Sequence, residues 1–170
     1  MAVYRKIAEK MPDYDTVLMH GSAIAVDNEG YLFTAKSGTG KSTHTRLWRE
    51  MLGNRAVMVN DDKPLIRVTD AGAVIYGTPW DGKHGLSSNI SVPLKAICIL
   101  ERAENNTIHS ISKREAYSFL VGQTYRPKNP EVLLKTLDLL DKICELTGLY
   151  RLGCNMQPEA ARVAYTMLKG

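Results

Sequence analysis

An apolar run, Tyr31-Leu32-Phe33-Thr34, leads into Ala35-Lys36-Ser37-Gly38-Thr39-Gly40, then into Lys41-Ser42-Thr43 and a segment of helical pattern. Few folds accommodate that order. A strand that ends in a glycine-containing turn and hands over to a helix brings backbone N–H groups together. The helix dipole adds partial positive charge at the same place. This is the context of a phosphate-binding loop. In it Ser37, Gly38, Thr39, Gly40, Lys41, Ser42 and Thr43 would surround the phosphates of a nucleotide. Lys41 would reach the β- and γ-phosphates and the Ser42 hydroxyl would ligate Mg²⁺. Gly38 and Gly40 keep Cβ atoms out of the phosphate's path. The pattern G-x-x-x-x-G-K-[ST] wants glycine where this chain has Ala35, and a Gly/Ser/Thr turn that merely starts a helix is the plainer alternative.

The flanking segments extend this into a fold. Residues 15–26 form an extended run broken at Gly21, Asp27-Asn28-Glu29-Gly30 reads as a turn, and 31–34 as the next strand. The spacing predicts an antiparallel hairpin feeding the loop. A helix over 43–51 stops at Gly53-Asn54, and a short strand over 56–59 ends in Asn60-Asp61-Asp62-Lys63-Pro64. Further strands are predicted at 65–68, 73–76, 94–100, 107–111 and 150–152, with a glycine-rich loop over 77–85. Residues 1–13 read as a short helix ended by Met11-Pro12. Ser112-Lys113-Arg114-Glu115 has capping-box spacing and opens a helix through Val121. Asn129-Pro130 opens the longest helix, along which Leu133, Leu137, Leu140 and Cys144 recur at core-packing spacing. Residues 158–168 form the last helix. The chain is α/β, with a mixed sheet flanked by helices, and at 170 residues it reads as one domain over 1–170.

Composition removes several function classes. The net charge of +4 comes without a long Lys/Arg block, so it points to anionic ligands more than to nucleic acid. Cys98, Cys144 and Cys154 are widely spaced, with no C-x-x-C pattern, and read as buried small hydrophobes. No apolar run approaches the ~18 residues of a membrane span and no signal region opens the chain. The expectation is a cytoplasmic protein without membrane or nucleic-acid partners.

Two features add chemistry to the loop. Asp61-Asp62 follows it by one helix and one strand, where one carboxylate can serve Mg²⁺ while the other takes a proton from an acceptor hydroxyl. An Asx turn before Pro64 is the plainer reading of the same residues. His20-Gly21 lies on the strand before the loop's own strand. An imidazole there can bind a transferred phosphate or bias an aspartate's protonation, or it is simply structural.

His20-Gly21, Ala35 to Ser42 and Asn60-Asp61-Asp62, in this order and spacing, resemble the catalytic domain of HPr kinase/phosphorylase. That family is related to the phosphoenolpyruvate carboxykinases. The resemblance covers roughly residues 14–82. It implies a phosphoenolpyruvate carboxykinase-like P-loop fold and an ATP- and Mg²⁺-dependent kinase. It also implies Lys41 on phosphate, Ser42 and Asp62 on the metal, Asp61 as general base toward a seryl hydroxyl, and His20 on the acceptor phosphate. Where those kinases carry a glutamate segment ending in Arg-Gly-Leu-Gly, this chain has Gly77-Thr78-Pro79-Trp80-Asp81-Gly82-Lys83. Asp81 there stands for an outer metal ligand and Lys83 for added positive charge; a tight turn around Pro79 is the alternative. Arg126 stands for an arginine that meets the transferred phosphate. The acceptor is then a serine in a small protein or peptide, or a small alcohol, and the resemblance implies a homo-oligomer. A non-catalytic ATP-sensing module and a carboxykinase-like enzyme are the competing readings. The donor, whether ATP, GTP or pyrophosphate, is open.

Overall fold

The predicted hairpin forms and turns more tightly than its pattern implies. In the computed structural model, which describes residues 2–170, β2 (Ser22–Val26) and β3 (Glu29–Thr34) pair antiparallel with Val26 opposite Glu29. Only Asp27 and Asn28 lie between them, with φ of 50° and 66°, so Glu29 and Gly30 belong to the strand and not to the turn. Positive φ at both central residues is the geometry that matches the right-handed strand twist in a two-residue hairpin. On the far side of β2 runs β4 (Ala56–Asn60), antiparallel to it and therefore pointing the same way as β3.

The rest of the sheet hangs on β7 (Ser91–Arg102). Its residues 91–93 pair antiparallel with β6 (Gly72–Tyr76), itself hairpinned to β5 (Leu65–Thr69), whose outer edge takes β1 (Thr16–Leu18). From Leu94 onward β7 runs parallel to β3, and from Ala96 also parallel to β9 (Gly148–Cys154), which β8 (Thr107–Ser110) edges. The strand is longer than the predicted 94–100. Pro93 reads as a breaker, yet it lies where β7 passes from one neighbour to the next, opposite Val74 of β6 and just before the pairing with β3 begins. The result is a curled, mixed sheet of nine strands.

Both faces of its centre are covered. Alternation sends Ala23, Ala25 and Leu32 to one core and Ile24, Val26, Tyr31 and Phe33 to the other. The first core is roofed by α3 (Lys113–Gln123) and α4 (Pro130–Leu146), the second by α2 (Lys41–Leu52) and α5 (Glu159–Leu168). The predicted caps form: Ser112 accepts from the Glu115 N–H, and Asn129 from those of Glu131 and Val132. Along α4 the deepest line is Thr136, Leu139, Leu140, Ile143 and Cys144, while Leu133 and Leu137 are half-buried on its flank. Thr136 is admitted to the core because its hydroxyl donates to the Val132 carbonyl. At the start of the chain α1 (Val3–Lys10) is followed by a 3₁₀ turn, Met11–Tyr14, in place of a helix reaching residue 13. All three cysteines are buried and free. Among the described residues no helix is long and apolar enough to cross a membrane.

Candidate active site

Strand direction gathers the site. Because β3, β4 and β7 run one way and β2 the other, the carboxyl ends of the three meet the start of β2. In open α/β sheets, that end is where ligands are held.

The loop leaves β3 at Ala35 and closes a turn through the Thr39 N–H and the Lys36 carbonyl, 3.2 Å apart. Gly38 (φ 80°) and Gly40 (φ 110°) take left-handed backbone that a side chain would strain. Gly40 is the N-cap of α2, which opens at Lys41, two residues earlier than predicted. The Lys41 ammonium folds back to within 3.3 Å of the Ala35 carbonyl. Burial lowers its pKa, against the pull of Asp62 and Asp61.

Ser42 points from the first turn of α2 at the end of β4 and donates to Asp61 Oδ1 at 2.9 Å. Ser22, the first residue of β2, donates to the same oxygen at 2.7 Å and lies 2.9 Å from the Thr45 hydroxyl. Asp61 is thereby buried among hydroxyls. Asp62 faces the other way. Its Oδ1 meets His20 Nε2 at 3.0 Å and its Oδ2 meets Lys63 Nζ at 2.5 Å. Burial lowers the pKa of His20, with Lys41 adding to the shift, Asp62 opposing it and Lys63 lowering it further. The shift favours the neutral imidazole, and one that donates Nε2–H to Asp62 keeps a lone pair on Nδ1. Lys63 in turn lies 4.8 Å from the Tyr4 ring centroid, so α1 covers this edge of the site.

The turn that presents both carboxylates is tied down by Asn60, which is fully buried. Its amide donates to the carbonyl and hydroxyl of Thr78, each at 2.9 Å, while its Oδ1 accepts from the N–H groups of Asp62 (2.8 Å) and Lys63 (2.7 Å). Thr78 also donates to the Lys63 carbonyl at 2.8 Å. An Asx turn does exist at this point, headed by Asn60, and it is what aims the aspartates.

The structure brings His20, Lys41, Ser42, Asp61 and Asp62 together. The three residues carried by the weaker part of the resemblance make no hydrogen bond or ion pair to this group among the described residues. Asp81 accepts from Ser87 at 2.7 Å, Lys83 is exposed without a polar partner among the described residues, and exposed Arg126 donates to the Val121 carbonyl at 3.2 Å. Arg126 lies one residue past Tyr125, whose N–H bonds to Leu18, so the chain there runs back along β1 and away from His20. The backbone of Gly82 runs beside the pair: a Cβ built on it would lie 3.4 Å from Asp62 Cβ. Two participants have no motif to announce them, Ser22 and Arg102, and Asn60 stands in the motif with the aspartate pair but without a role assigned to it. Arg102, at the end of β7, donates to the Gly38 carbonyl at 2.7 Å. Ser22 was within reach of the sequence, since it is two residues from His20 and alternation puts both toward the same side.

Among the described residues no group of three or more His, Cys, Asp or Glu side chains is placed to hold a metal by itself. The Ser42 hydroxyl and Asp61 carboxylate do supply two hard oxygens side by side. That fits Mg²⁺, which is commonly held by one or two protein oxygens together with substrate phosphates. Beside the loop, on the flank of α2 away from Asp61, a cavity of about 280 Å³ is walled by Thr39, Gly40, Thr43, Leu47 and Met156.

These features define a mixed α/β protein in which a glycine loop and a helix N-terminus face a carboxylate pair and a histidine. The chain belongs to the family described as SynChlorMet cassette protein ScmC, which it matches over residues 1–127. All the residues gathered at the site fall within that match. No curated protein matches the chain. A solved structure similar to it is the HPr(Ser) kinase/phosphatase from Coxiella burnetii, at 12% identity over 90% of this chain and 99% of that one, with a TM-score of 0.47.

Proposed function

We propose that the chain is a phosphotransferase that binds a nucleoside triphosphate with Mg²⁺ and transfers the terminal phosphate to a hydroxyl. The observation that carries this reading is the 2.9 Å hydrogen bond from Ser42 to Asp61. It joins the first turn after a glycine loop to a carboxylate at the end of a neighbouring strand, which is the donor pair such nucleotide sites use for their metal.

The hydrogen bonding favours a division of labour opposite to the one the resemblance implies. Asp61, held by Ser22 and Ser42, is suited to the metal side. Asp62, paired with His20, is suited to holding that imidazole as the base. In this scheme the acceptor O–H gives its proton to His20 Nδ1 as the oxygen bonds to the terminal phosphorus and the P–O bond to the leaving diphosphate breaks. Asp62 orients the imidazole and stabilises the cation that forms. The Lys41 ammonium and the N–H groups that open α2 face the phosphates in this scheme and offset the charge that builds on them. Bound Mg²⁺ would supply further neutralisation of the β- and γ-phosphates. The cavity walled by Leu47 and Met156 has room for part of the nucleoside. By the resemblance to HPr kinase/phosphorylase, the acceptor is a serine in a small protein or peptide, or a small alcohol.

Calorimetry and transfer assays on three variants separate the roles. Lys41→Ala is expected to weaken Mg·ATP binding. Asp61→Asn is expected to lose the magnesium dependence of that binding. His20→Gln should bind Mg·ATP like wild type and transfer about 10²–10⁴-fold more slowly. If His20→Gln transfers normally and Asp61→Asn binds normally but is inert, Asp61 is the base. If no nucleoside triphosphate binds in the presence of Mg²⁺, the phosphotransferase reading is wrong.

A further inference from the structure

The flank of α2 nearer Asp61 carries two arginines that the scheme above leaves without a task. Ser42, Arg46 and Arg49 are spaced i, i+4 and i+7 and so share one side of the helix. Facing them is the loop after β6, through His84 and Leu86. Between the two lies a cavity of about 250 Å³ lined by Ser42, Thr43, Arg46, Arg49, His84 and Leu86. No carboxylate is among its lining residues. Arg46 pairs with Glu50 one turn along the helix, in a half-exposed contact that competes weakly with a ligand. Arg49 makes no ion pair among the described residues and forms part of the cavity wall. The acceptors that suit a guanidinium fork are carboxylate and phosphate.

The cavity is also next to the chemistry. Ser42 both lines it and donates to Asp61. Gly82, two residues before His84, runs beside Asp62, a Cβ built on it falling 3.4 Å from the Asp62 Cβ. The cavity walled by Leu47 and Met156 is on another flank of the same helix. A nucleotide with its sugar and base on that flank leaves the arginine side open to the second substrate, with the terminal phosphate between them.

We propose that the arginine-lined cavity binds an oxyanion carried by the phosphoryl acceptor, so that the acceptor is an acidic molecule. This inference rests on the phosphotransferase reading, and its test is built to fail separately from it. Affinity for Mg²⁺ and a non-hydrolysable ATP analogue is measured first; absence of binding refutes the phosphotransferase reading. The arginine Nε–H resonances are then followed by NMR, with and without the analogue. The protein is titrated with a serine peptide flanked by aspartates, with the same peptide carrying asparagines instead, and with inorganic phosphate. The aspartate peptide is expected to shift the Arg46 and Arg49 signals and to bind at least tenfold more tightly than the asparagine peptide. Arg46→Gln and Arg49→Gln should each shrink that preference while leaving the affinity for the analogue unchanged. The proposal is overturned if the two peptides bind equally, if neither binds, or if the preference survives both substitutions. It is also overturned if inorganic phosphate alone moves the two signals, since the occupant is then a free ion and not the acceptor. The wild-type resonances carry the test even where Arg49→Gln lowers stability.

Discussion

One amide side chain decides where the carboxylates point. Asn60 satisfies all four of its hydrogen-bonding positions, two on Thr78 and two on the N–H groups of Asp62 and Lys63. Asn60→Leu, close in size, would leave the Asp62 N–H and the Thr78 carbonyl without partners, while the Lys63 N–H keeps the Trp80 carbonyl at 3.2 Å. The expected cost is about 3–5 kcal/mol by urea unfolding, from the desolvation of unpaired buried groups. An unchanged urea midpoint would mean that the turn stands without Asn60. This position also marks the limit of what the chain discloses unaided. Lys41, Ser42 and the aspartate pair are legible because each sits at a fixed offset from a strand or helix end. Asn60 is legible as part of the same motif but its task is not, because its partner Thr78 lies 18 residues on, in a loop whose path no local pattern sets. Asp81, Lys83 and Arg126 were placed by analogy with another family's loops, and loops are where spacing ceases to predict position.

At the scale of elements, period-2 and helical patterns located the strands and helices, and their ends moved for physical reasons. α2 begins at Lys41 because Gly40 takes the left-handed cap conformation, and β7 extends through Pro93 because it changes neighbours there. The stripe on α4 is rotated from the predicted Leu133-Leu137-Leu140-Cys144 line toward Leu139, Leu140 and Ile143. Two truncations read that rotation. Leu140→Ala, at a fully buried position, should cost about 2–5 kcal/mol. Leu133→Ala, on the half-buried flank, should cost well under half as much. Equal losses in thermal or urea unfolding would return the core to the predicted line.

For the molecule as a whole, a second histidine sets an acid limit on stability. His44 is buried under Trp48, whose indole N–H donates to its Nε2 at 3.0 Å, and burial lowers its pKa to about 4. Unfolded, it titrates near 6.5. Above that pH the imidazole is neutral in both states and no stability depends on it. As pH falls from about 6.5 to 4 the unfolded chain takes up the proton first, so stability drops by at most about 1.4 kcal/mol per pH unit from this group. Below about 4 both states are protonated and the loss levels off. His44→Gln, which keeps an acceptor for Trp48, should flatten the slope in pH-dependent unfolding; an identical slope would assign it to other groups. Two segments of the site, meanwhile, are clasped to each other through adjacent side chains. His20 holds Asp62 and Ser22 holds Asp61, so residues two apart on one segment engage residues one apart on another. Between them Gly21 has no room to swell, since a Cβ there would lie 2.7 Å from Leu32 Cδ1 and 2.9 Å from the Phe33 carbonyl oxygen. An indel of one residue at this junction would reverse the parity of one clasp relative to the other, so the tract from 20 to 22 admits no polymorphism in length.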